Sequence, residues 1–245
     1  MFIDSLIIGN GEVGSSLEEA LCRRGKKQNV LAIDVKDVDF EENLRDIQCK
    51  SLHICFPYNR DFVGNTLRYI SVTLPSLCVI HSTVAVGTTK KILKEKQDKL
   101  FIVHSPVRGQ HPVLTKSLLY FIKYVGTDNK QAFEAAKKEM SNFKVEWIKS
   151  ADATELGKVL DTSYYGVCIS WHKEMKRICK VFKVDYEEAV TRMNKSYNLG
   201  YKKFRPNVIR PILTPPEGKI GGHCVVQNAR LLEKQVQSKF LKLIK

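Results

Sequence analysis

The first 150 residues alternate short apolar runs with segments in which apolar residues recur every three or four positions. Short, mostly apolar, strand-like runs occur at residues 2–8, 30–33, 52–56, 77–81, 101–104 and 121–125, and the first of them is rich in β-branched side chains. Short runs of this composition favour buried strands, and the spacing of apolar residues between most of them favours helices. This alternation predicts an α/β fold with a Rossmann-type, doubly wound parallel sheet.

From about residue 153 the apolar spacing is helical for roughly 30 residues. A helix this long, with apolar residues on more than one side, predicts contact with a second subunit, so we expect a homodimer formed through it. Another helix is expected after Asp185, which can cap it together with Glu188. We therefore expect a dinucleotide-binding domain at residues 1–150 and a mostly helical second domain at residues 151–245.

The segment after the first predicted strand has the pattern of a dinucleotide-binding turn. Its residues are Gly9, Asn10, Gly11, Glu12, Val13 and Gly14, and a helical pattern follows. In such a turn the first glycine permits the backbone conformation, the second lets the main chain approach a pyrophosphate, and the third lets the helix pack on the strand. The helix N-terminus then faces the phosphate charge. The alternative is a strand, turn and helix whose glycines serve packing alone.

Asp34 follows the second predicted strand, about 20 residues after the last glycine, where a ribose-binding acid is expected. A carboxylate there accepts hydrogen bonds from the ribose hydroxyls and repels a 2′-phosphate, which favours NAD, although the nearby Lys36 leaves NADP open. Ligands of doubly wound sheets bind beyond the carboxyl ends of the strands. We therefore also expect Pro57, Ser82 and Thr83 around the cofactor.

An irregular segment near the C-terminus ends in Gly-Gly-His before Cys224, and a final helical pattern follows. Glycine-rich backbone beside a cysteine that begins a helix can favour the nucleophilic thiolate. Cys224 is therefore a candidate nucleophile. The alternative is an inert cysteine that serves packing.

Composition narrows the class of protein. The seven cysteines of the 245-residue chain are scattered without a C-x-x-C pair, which argues against a disulfide framework and a zinc site, so no metal is expected. The net charge of +14 comes without a nucleic-acid-binding motif, so a solvated basic surface, or attraction for phosphorylated ligands, is favoured over nucleic-acid binding. Because neither a signal peptide nor a membrane-spanning segment is evident, we expect a cytoplasmic protein and no membrane partner.

Four segments of the chain follow one another in a specific order: the glycine turn at residues 9–14, HSTVAVGTT at 81–89, ATELGK at 153–158 and GGHC at 221–224. In this order they resemble the UDP-glucose, GDP-mannose and UDP-N-acetylmannosamine dehydrogenase family. The resemblance implies an NAD-dependent dehydrogenase that oxidises a primary alcohol or aldehyde of a sugar derivative. It implies that Cys224 captures the aldehyde as a thiohemiacetal, that Lys158 stabilises the oxyanion, and that Thr83 positions water or nicotinamide.

Three positions depart from the family pattern. Val107 replaces a glutamate, Thr162 an asparagine and Asn228 an aspartate. Neither Val107 nor Asn228 can accept a proton from water, which puts hydrolysis of the thioester in doubt. The family's second nucleotide-binding domain also has no counterpart, so we expect a partner chain that supplies it, or a smaller, anionic, sugar-like substrate. The basic residues around the cysteine loop that could hold this substrate are Arg205, Arg210 and Lys219.

Two other functions stay open. One is a non-catalytic NAD-binding module or sensor derived from the family. The other is a two-electron reductase of the 3-hydroxyacid dehydrogenase kind, which needs Lys158 but not the cysteine. For Lys158 itself the alternative is a salt bridge to Asp161 or Glu155 on an exposed helix face.

Overall fold

The computed structural model describes residues 1–23, 29–95, 99–110, 112–220 and 223–244. The chain divides into two compact units, Met1–Lys158 and Val159–Lys245. The division lies a little beyond the expected domain boundary at residue 150, inside a helix.

A seven-stranded sheet forms the centre of the first unit, in the order β2-β1-β3-β4-β5-β6-β7. The strands are β1 (Phe2–Ile8), β2 (Val30–Ile33), β3 (Gln48–Ile54), β4 (Leu77–Ile80), β5 (Phe101–His104), β6 (Ile122–Gly126) and β7 (Lys144–Ile148). Strands β1 to β5 are parallel, whereas β6 pairs antiparallel with β5 and parallel with β7. The predicted α/β class and doubly wound sheet are confirmed, and the sheet is parallel as predicted except at the pairing of β5 with β6. The sequence pattern did not indicate β7 or the reversal at β6.

Helices cover both faces of this sheet. They are α1 (Glu12–Cys22), α2 (Phe40–Arg45), α3 (Phe62–Thr73), α4 (Thr88–Glu95), α5 (Leu114–Tyr120) and α6 (Lys130–Glu139). One buried apolar cluster contains Leu6 and residues of α2, α3 and α4, and the other contains Ile7 and residues of α1, α5 and α6. The two clusters lie on opposite faces because successive strand residues point to opposite sides.

The position of β1 determines where a ligand can bind. The chain continues from β1 to β2 on one side and then to β3 on the other side of β1. Such a change of direction opens a crevice at the carboxyl ends of the strands, where doubly wound sheets bind ligands. The Cys55 N–H after β3 donates to the Ile8 carbonyl at 2.8 Å, so the segments that follow β1 and β3 lie together at this edge.

The second unit is mainly helical. The long helix predicted from the sequence is confirmed as α7 (Ala151–Phe182). A π-helical segment at Glu187–Arg192 continues directly into α8 (Met193–Tyr201), and Asp185 caps its start by accepting a hydrogen bond from the Glu188 N–H at 2.9 Å. An irregular segment then leads to α9 (His223–Glu233). No helix among the described residues has the length and apolarity to cross a membrane.

The buried apolar cluster of the second unit is small. Its buried members are Val159, Ile220, Ala229, Leu232, Leu241 and Ile244. Gly166 of α7 allows close packing here, because a Cβ at this position would lie 2.8 Å from the Val225 side chain and 3.0 Å from that of Ile244.

Candidate functional site

The glycine turn has the geometry expected of a dinucleotide-binding turn. Gly9 has φ +100°, and a Cβ there would lie 2.6 Å from the Phe56 nitrogen. A Cβ on Gly14 would lie 1.9 Å from the Gly9 carbonyl oxygen, so α1 packs directly on the turn. A Cβ on Gly11, in contrast, would have no described atom within 4 Å. The fold therefore requires glycine at positions 9 and 14, whereas Gly11 leaves space open at the start of α1.

Asp34 lies directly beside this turn. Its Oδ2 accepts a hydrogen bond from the Asn10 N–H at 2.9 Å, and its Oδ1 accepts one from the Lys36 N–H at 3.2 Å. The turn is also joined to β2, because the Gly9 N–H donates to the Ile33 carbonyl at 2.9 Å. An open glycine turn, a helix N-terminus and an adjacent carboxylate fit the phosphate and ribose groups of NAD.

The segments after β3 and β4 lie at the same edge of the sheet. The Ser82 hydroxyl donates to the Phe56 carbonyl at 2.6 Å and contacts the Ile54 carbonyl at 3.3 Å. Pro57 follows Phe56 in the chain, and the half-buried Thr83 follows Ser82. The structure thus brings the predicted cofactor-binding residues of the first unit together at one edge, while their contact with a cofactor stays a prediction.

Lys158 projects from a part of α7 that is tied to the first unit. The Glu155 carboxylate accepts hydrogen bonds from the Gly87 N–H at 2.6 Å and from the N–H and hydroxyl of Thr89 at 2.8 and 2.6 Å. One residue earlier, the Thr154 hydroxyl lies 2.8 Å from Nδ1 of His104. These contacts attach the first turns of α7 to the loop after β4 and to the end of β5. Lys158 follows one turn later.

The charge of Lys158 acts on two buried basic groups of the first unit. Burial lowers the pKa of His104 to about 3, with the charges of Lys123 and Lys158 acting in the same direction and the hydrogen bond to the Ser82 carbonyl opposing them. Burial likewise lowers the pKa of Lys123 to about 7, with Lys158 acting in the same direction. The charge of Lys158 therefore reaches the interior of the first unit.

A buried carboxylate that the sequence analysis missed lies within the first unit. Glu139, the last residue of α6, accepts hydrogen bonds from the Ser5 and Ser51 hydroxyls at 2.5 and 2.8 Å. Its Oε1 also lies 3.2 Å from Nε2 of His53. Burial acts to raise the pKa of Glu139, but His53 and the two hydroxyls outweigh it and lower the pKa to about 2.

The hydrogen-bond network assigns the protons of this group. Nδ1 of His81 lies 3.0 Å from the Ser105 carbonyl, which can only accept, so that nitrogen has the proton. Burial lowers the pKa of His81 well below its usual range, so the ring is neutral and its Nε2 accepts from Nδ1 of His53, 2.9 Å away. Nε2 of His53 lies 3.2 Å from the Glu139 carboxylate, so His53 connects His81 to Glu139 through its two ring nitrogens.

Lys123 of β6 is attached to the turn that follows β5. Its buried Nζ donates to the Ser105 carbonyl at 2.6 Å and to the Pro106 carbonyl at 3.3 Å. Val107, the next residue, is also buried. Two sequence signals could have revealed the buried network of Glu139, the histidines and Lys123. One is a lysine inside an apolar strand, and the other is the set of histidines at the ends of β3, β4 and β5.

In the second unit, Cys224 lies in the first turn of α9 and is exposed. Gly221 and Gly222, which precede it, lie outside the described residues. Thr162 and the buried Asn228, two of the departures from the family pattern, contact each other, since the Asn228 Nδ2 donates to the Thr162 hydroxyl at 3.1 Å. That Cys224 meets Lys158 and Thr83 stays a prediction.

The irregular segment before Cys224 is held by α8. The Asn198 side chain donates to the Arg210 carbonyl at 2.8 Å and accepts from the Arg210 N–H at 2.9 Å. The Arg210 guanidinium lies 3.6 Å from the centroid of the Tyr197 ring and 3.3 Å from Oδ1 of Asn194. Arg210, a predicted substrate-binding residue, is therefore positioned by the fold.

Comparison with known proteins shows which protein family the chain is related to. No protein-family model matches it. A UDP-N-acetyl-D-mannosamine dehydrogenase of Methanococcus vannielii is 30% identical over 189 residues, which are 76% of this chain and 41% of that protein. The chain is a relative of the nucleotide-sugar dehydrogenases. The predicted resemblance is thus confirmed, and the chain spans about two fifths of the length of the curated relatives that it matches.

Solved structures of dehydrogenases share its fold. A UDP-D-ManNAc dehydrogenase from Pyrococcus horikoshii superposes with a TM-score of 0.78 at 17% identity, over all of this chain and 68% of that one. A 3-hydroxyisobutyrate dehydrogenase from Mycobacterium tuberculosis superposes with a TM-score of 0.69 at 14% identity, over 99% of this chain and 91% of that one. At these identities the likeness concerns the fold alone.

Proposed function

We propose that the chain is the cofactor-binding and cysteine-bearing part of an NAD-dependent dehydrogenase that oxidises a primary alcohol or aldehyde of a sugar derivative. The observation that supports this most is the hydrogen bond between Asp34 and the glycine turn. This turn lies at the switch point of the sheet, and the chain is a relative of the nucleotide-sugar dehydrogenases. When bound, NAD supplies the hydride acceptor. Residues 9–14 would hold its pyrophosphate and Asp34 its adenosine ribose, with Pro57, Ser82 and Thr83 around the rest.

In this proposal Cys224 adds to the aldehyde. A bond forms between the thiol sulfur and the carbonyl carbon while the S–H bond and the carbonyl π bond break, and the thiol proton passes to the oxygen to give a thiohemiacetal. Lys158 offers its ammonium to the developing oxyanion, and Thr83 positions water or nicotinamide. The exposure of Cys224 and the attachment of the start of α7 to the first unit support these roles.

A specific observation favours a second candidate, a non-catalytic NAD-binding module or sensor. Val107 is buried, and Asn228 is engaged with Thr162, so neither position offers a base for hydrolysis of a thioester. The correspondence with nearly the whole of 3-hydroxyisobutyrate dehydrogenase supports the third candidate, a two-electron reductase that needs Lys158 alone.

Turnover measurements separate these candidates. We expect the purified chain to form NADH, detected by its absorbance, with NAD and a panel of UDP-sugars and sugar alcohols. Cys224→Ser should abolish the second oxidation and leave NAD affinity unchanged, whereas the control Cys168→Ser should change neither. NAD binding without NADH formation across the panel would favour the module. Activity that survives Cys224→Ala but not Lys158→Ala would favour the reductase.

Restoring the missing acids tests the hydrolysis step. If the thioester accumulates, Val107→Glu and Asn228→Asp should accelerate release of the acid product after a first burst of NADH. Intact-protein mass spectrometry should show an adduct on Cys224 in the unmodified chain that the two variants lose. Burst kinetics that are identical in all three proteins would contradict a stalled thioester.

We also propose that the chain forms a homodimer through α7 and that a partner chain can supply a nucleotide-binding domain. Large apolar side chains are exposed along α7, including Tyr164, Trp171, Ile178 and Phe182. Exposed apolar surface of this extent is typical of protein interfaces. Sedimentation should give a dimer that Trp171→Glu with Ile178→Glu dissociates. A monomer in the unmodified chain would contradict the proposal.

A further inference from the structure

His104, the last residue of β5, is a fully buried histidine that the proposed mechanism does not use. Both of its ring nitrogens have partners. Nε2 lies 3.2 Å from the Ser82 carbonyl, and Nδ1 lies 2.8 Å from the Thr154 hydroxyl. The ring therefore joins the loop that follows β4 to the first turn of α7. All three residues belong to the first unit.

The partners of the His104 ring determine which nitrogen has the proton. A carbonyl can only accept, so Nε2 has a proton and donates it to the Ser82 carbonyl. Burial lowers the pKa of His104 to about 3, so the ring is neutral in neutral solution and Nδ1 has no proton. Nδ1 therefore accepts the hydroxyl proton of Thr154, although this hydroxyl also lies 2.9 Å from the Ala151 carbonyl. His104 is thus a donor on one side and an acceptor on the other.

Gly126 of β6 allows Thr154 to approach the sheet at this point. It is the β6 residue that pairs with His104. A Cβ at Gly126 would lie 2.1 Å from the Thr154 hydroxyl oxygen and 2.7 Å from the Ser150 carbonyl oxygen. A side chain at this position would therefore push Thr154 away from the His104 ring. The contact between Thr154 and His104 thus depends on three elements, β5, β6 and α7.

The two partners of His104 lie next to residues with proposed roles in the reaction. The Ser82 carbonyl belongs to the same planar peptide group as the Thr83 N–H, so its hydrogen bond to His104 fixes the orientation of that peptide. Thr154 and Lys158 are four residues apart in α7, which places them on the same face of the helix. The charge of Lys158 also acts on the His104 ring. One buried ring therefore contacts the peptide of Thr83 and the helical turn before Lys158.

A buried histidine whose two nitrogens have partners is ordinarily a structural part of the core. Here, however, Glu155 already attaches the start of α7 to the loop after β4, through Gly87 and Thr89. His104 contacts the same loop at Ser82, directly before Thr83. Its bond is therefore placed where it orients a proposed site residue. Reaction rates depend steeply on such placement, since a shift of about 1 Å can cost about 100-fold.

We propose that His104 is a positioning residue that holds the Ser82–Thr83 peptide and the Thr154 turn of α7 in one fixed arrangement, and so sets the placement of Thr83 relative to Lys158. It acts through its hydrogen bonds to Ser82 and Thr154. The inference rests on the proposed function, because that function gives Thr83 and Lys158 their roles in the reaction. The hydrogen bonds themselves do not depend on it.

Two substitutions of Thr154 test this role, with NAD and the UDP-sugar that supports the fastest NADH formation. Thr154→Val keeps the shape of threonine but cannot donate to Nδ1. It should lower kcat about tenfold or more, while both KM values change less than about twofold. Thr154→Ser keeps the hydroxyl, and its kcat should stay within about threefold of that of the unmodified chain.

Thr73→Val is the matched control. It also removes a buried threonine hydroxyl, one that donates to the Tyr69 carbonyl at 2.8 Å, but it lies at the last residue of α3, before the start of β4. Its kcat should not change. His104→Phe keeps a ring and loses both bonds, so it should lower kcat at least as much as Thr154→Val. Adding Thr154→Val to His104→Phe should then cause little further loss, because the two residues act through one contact.

Nuclear magnetic resonance gives a measurement that needs no turnover. The His104 ring of the unmodified chain should have a protonated Nε2 and an unprotonated Nδ1 at neutral pH. Thr154→Val should shift the amide signal of Thr83, which is far from Thr154 in the sequence. Thr73→Val should leave that signal unchanged.

Four results would overturn the proposal. The first is a proton on Nδ1 of His104. The second is an equal loss of kcat in Thr154→Val and Thr73→Val, and the third is a loss that Thr154→Ser does not restore, since both would mean general destabilisation. The fourth is a raised KM with unchanged kcat in Thr154→Val. If the unmodified chain forms no NADH, the proposed function fails on its own. The Thr83 amide signal then decides, and an unshifted signal in Thr154→Val would contradict the role of His104.

Discussion

The first unit, Met1–Lys158, takes charged side chains into its interior, whereas no described lysine or arginine of the second unit, Val159–Lys245, is buried. In the first unit Glu139, His53 and Lys123 are buried, and each has hydrogen-bond partners. In the second unit every described lysine and arginine is at least partly exposed, and the buried apolar cluster is small.

This difference shows two uses of charge in one chain. Buried ionic groups are tolerated only when each donor and acceptor is paired, so they favour one arrangement of the strands that they join. Exposed cations impose no such arrangement and stay available to a ligand. Variants of the first unit should therefore act on the free energy of unfolding, and charge variants of the second should act on binding.

The largest effect is expected from Glu139→Ala. Because it leaves the buried His53, Ser5 and Ser51 without their shared acceptor, it should lower the free energy of unfolding by about 3 kcal/mol or more. Denaturant titration followed by circular dichroism measures this. The control Glu134→Ala, on the exposed side of the same helix, should change stability by less than about 0.5 kcal/mol. If Glu139→Ala and Glu134→Ala changed the free energy of unfolding equally, the buried network would not be important for stability.

Two substitutions in the glycine turn should separate folding from cofactor binding. Gly14→Ala places a Cβ 1.9 Å from the Gly9 carbonyl oxygen and should cost about 2 kcal/mol of stability. Gly11→Ala meets no described atom, so it should leave stability nearly unchanged and weaken NAD binding. Denaturant titration measures the stability of each variant, and titration with NAD measures its affinity for the cofactor. A Gly11→Ala variant with unaltered NAD affinity would contradict the proposed cofactor site.

Lys123 should make stability depend on pH. Burial lowers its pKa to about 7 in the fold, from its usual value of 10.5 in the unfolded chain, so the unfolded chain binds more protons between these values. The free energy of unfolding should therefore rise with pH, by about 1 kcal/mol per unit between pH 7 and 8.5. Lys123→Met should remove this rise. Parallel curves for the two proteins would show that Lys123 is not the group responsible.

The smallest effect is expected from Asn198→Ala in the second unit. It removes two hydrogen bonds to Arg210 and should cost about 1 kcal/mol. Amide hydrogen exchange should accelerate around Arg210. The exposed Gln227 supplies the matched control, since Gln227→Ala should leave exchange in this segment unchanged. An unaltered exchange rate in Asn198→Ala would mean that other contacts hold the segment.

The features that could be predicted from the sequence are local in the chain. The glycine turn depends on the backbone conformation and close packing of residues 9 to 14, and α7 on the spacing of apolar residues within one helix. The role of Asp34 was predicted from the number of residues that separate it from the glycine turn. In the structure its carboxylate lies within hydrogen-bond distance of the Asn10 N–H. For each feature, the residues that determine it are neighbours or lie one βαβ unit apart.

The features that only the tertiary structure determined are contacts between residues far apart in the sequence. His53 and Glu139 are 86 positions apart, and Thr162 and Asn228 are 66 positions apart, so no local pattern could indicate either contact. The reversal at β6 depends likewise on which segments meet in the fold. Sequence spacing determines the local backbone and helix faces, whereas charge pairing depends on distances that exist only after the chain has folded.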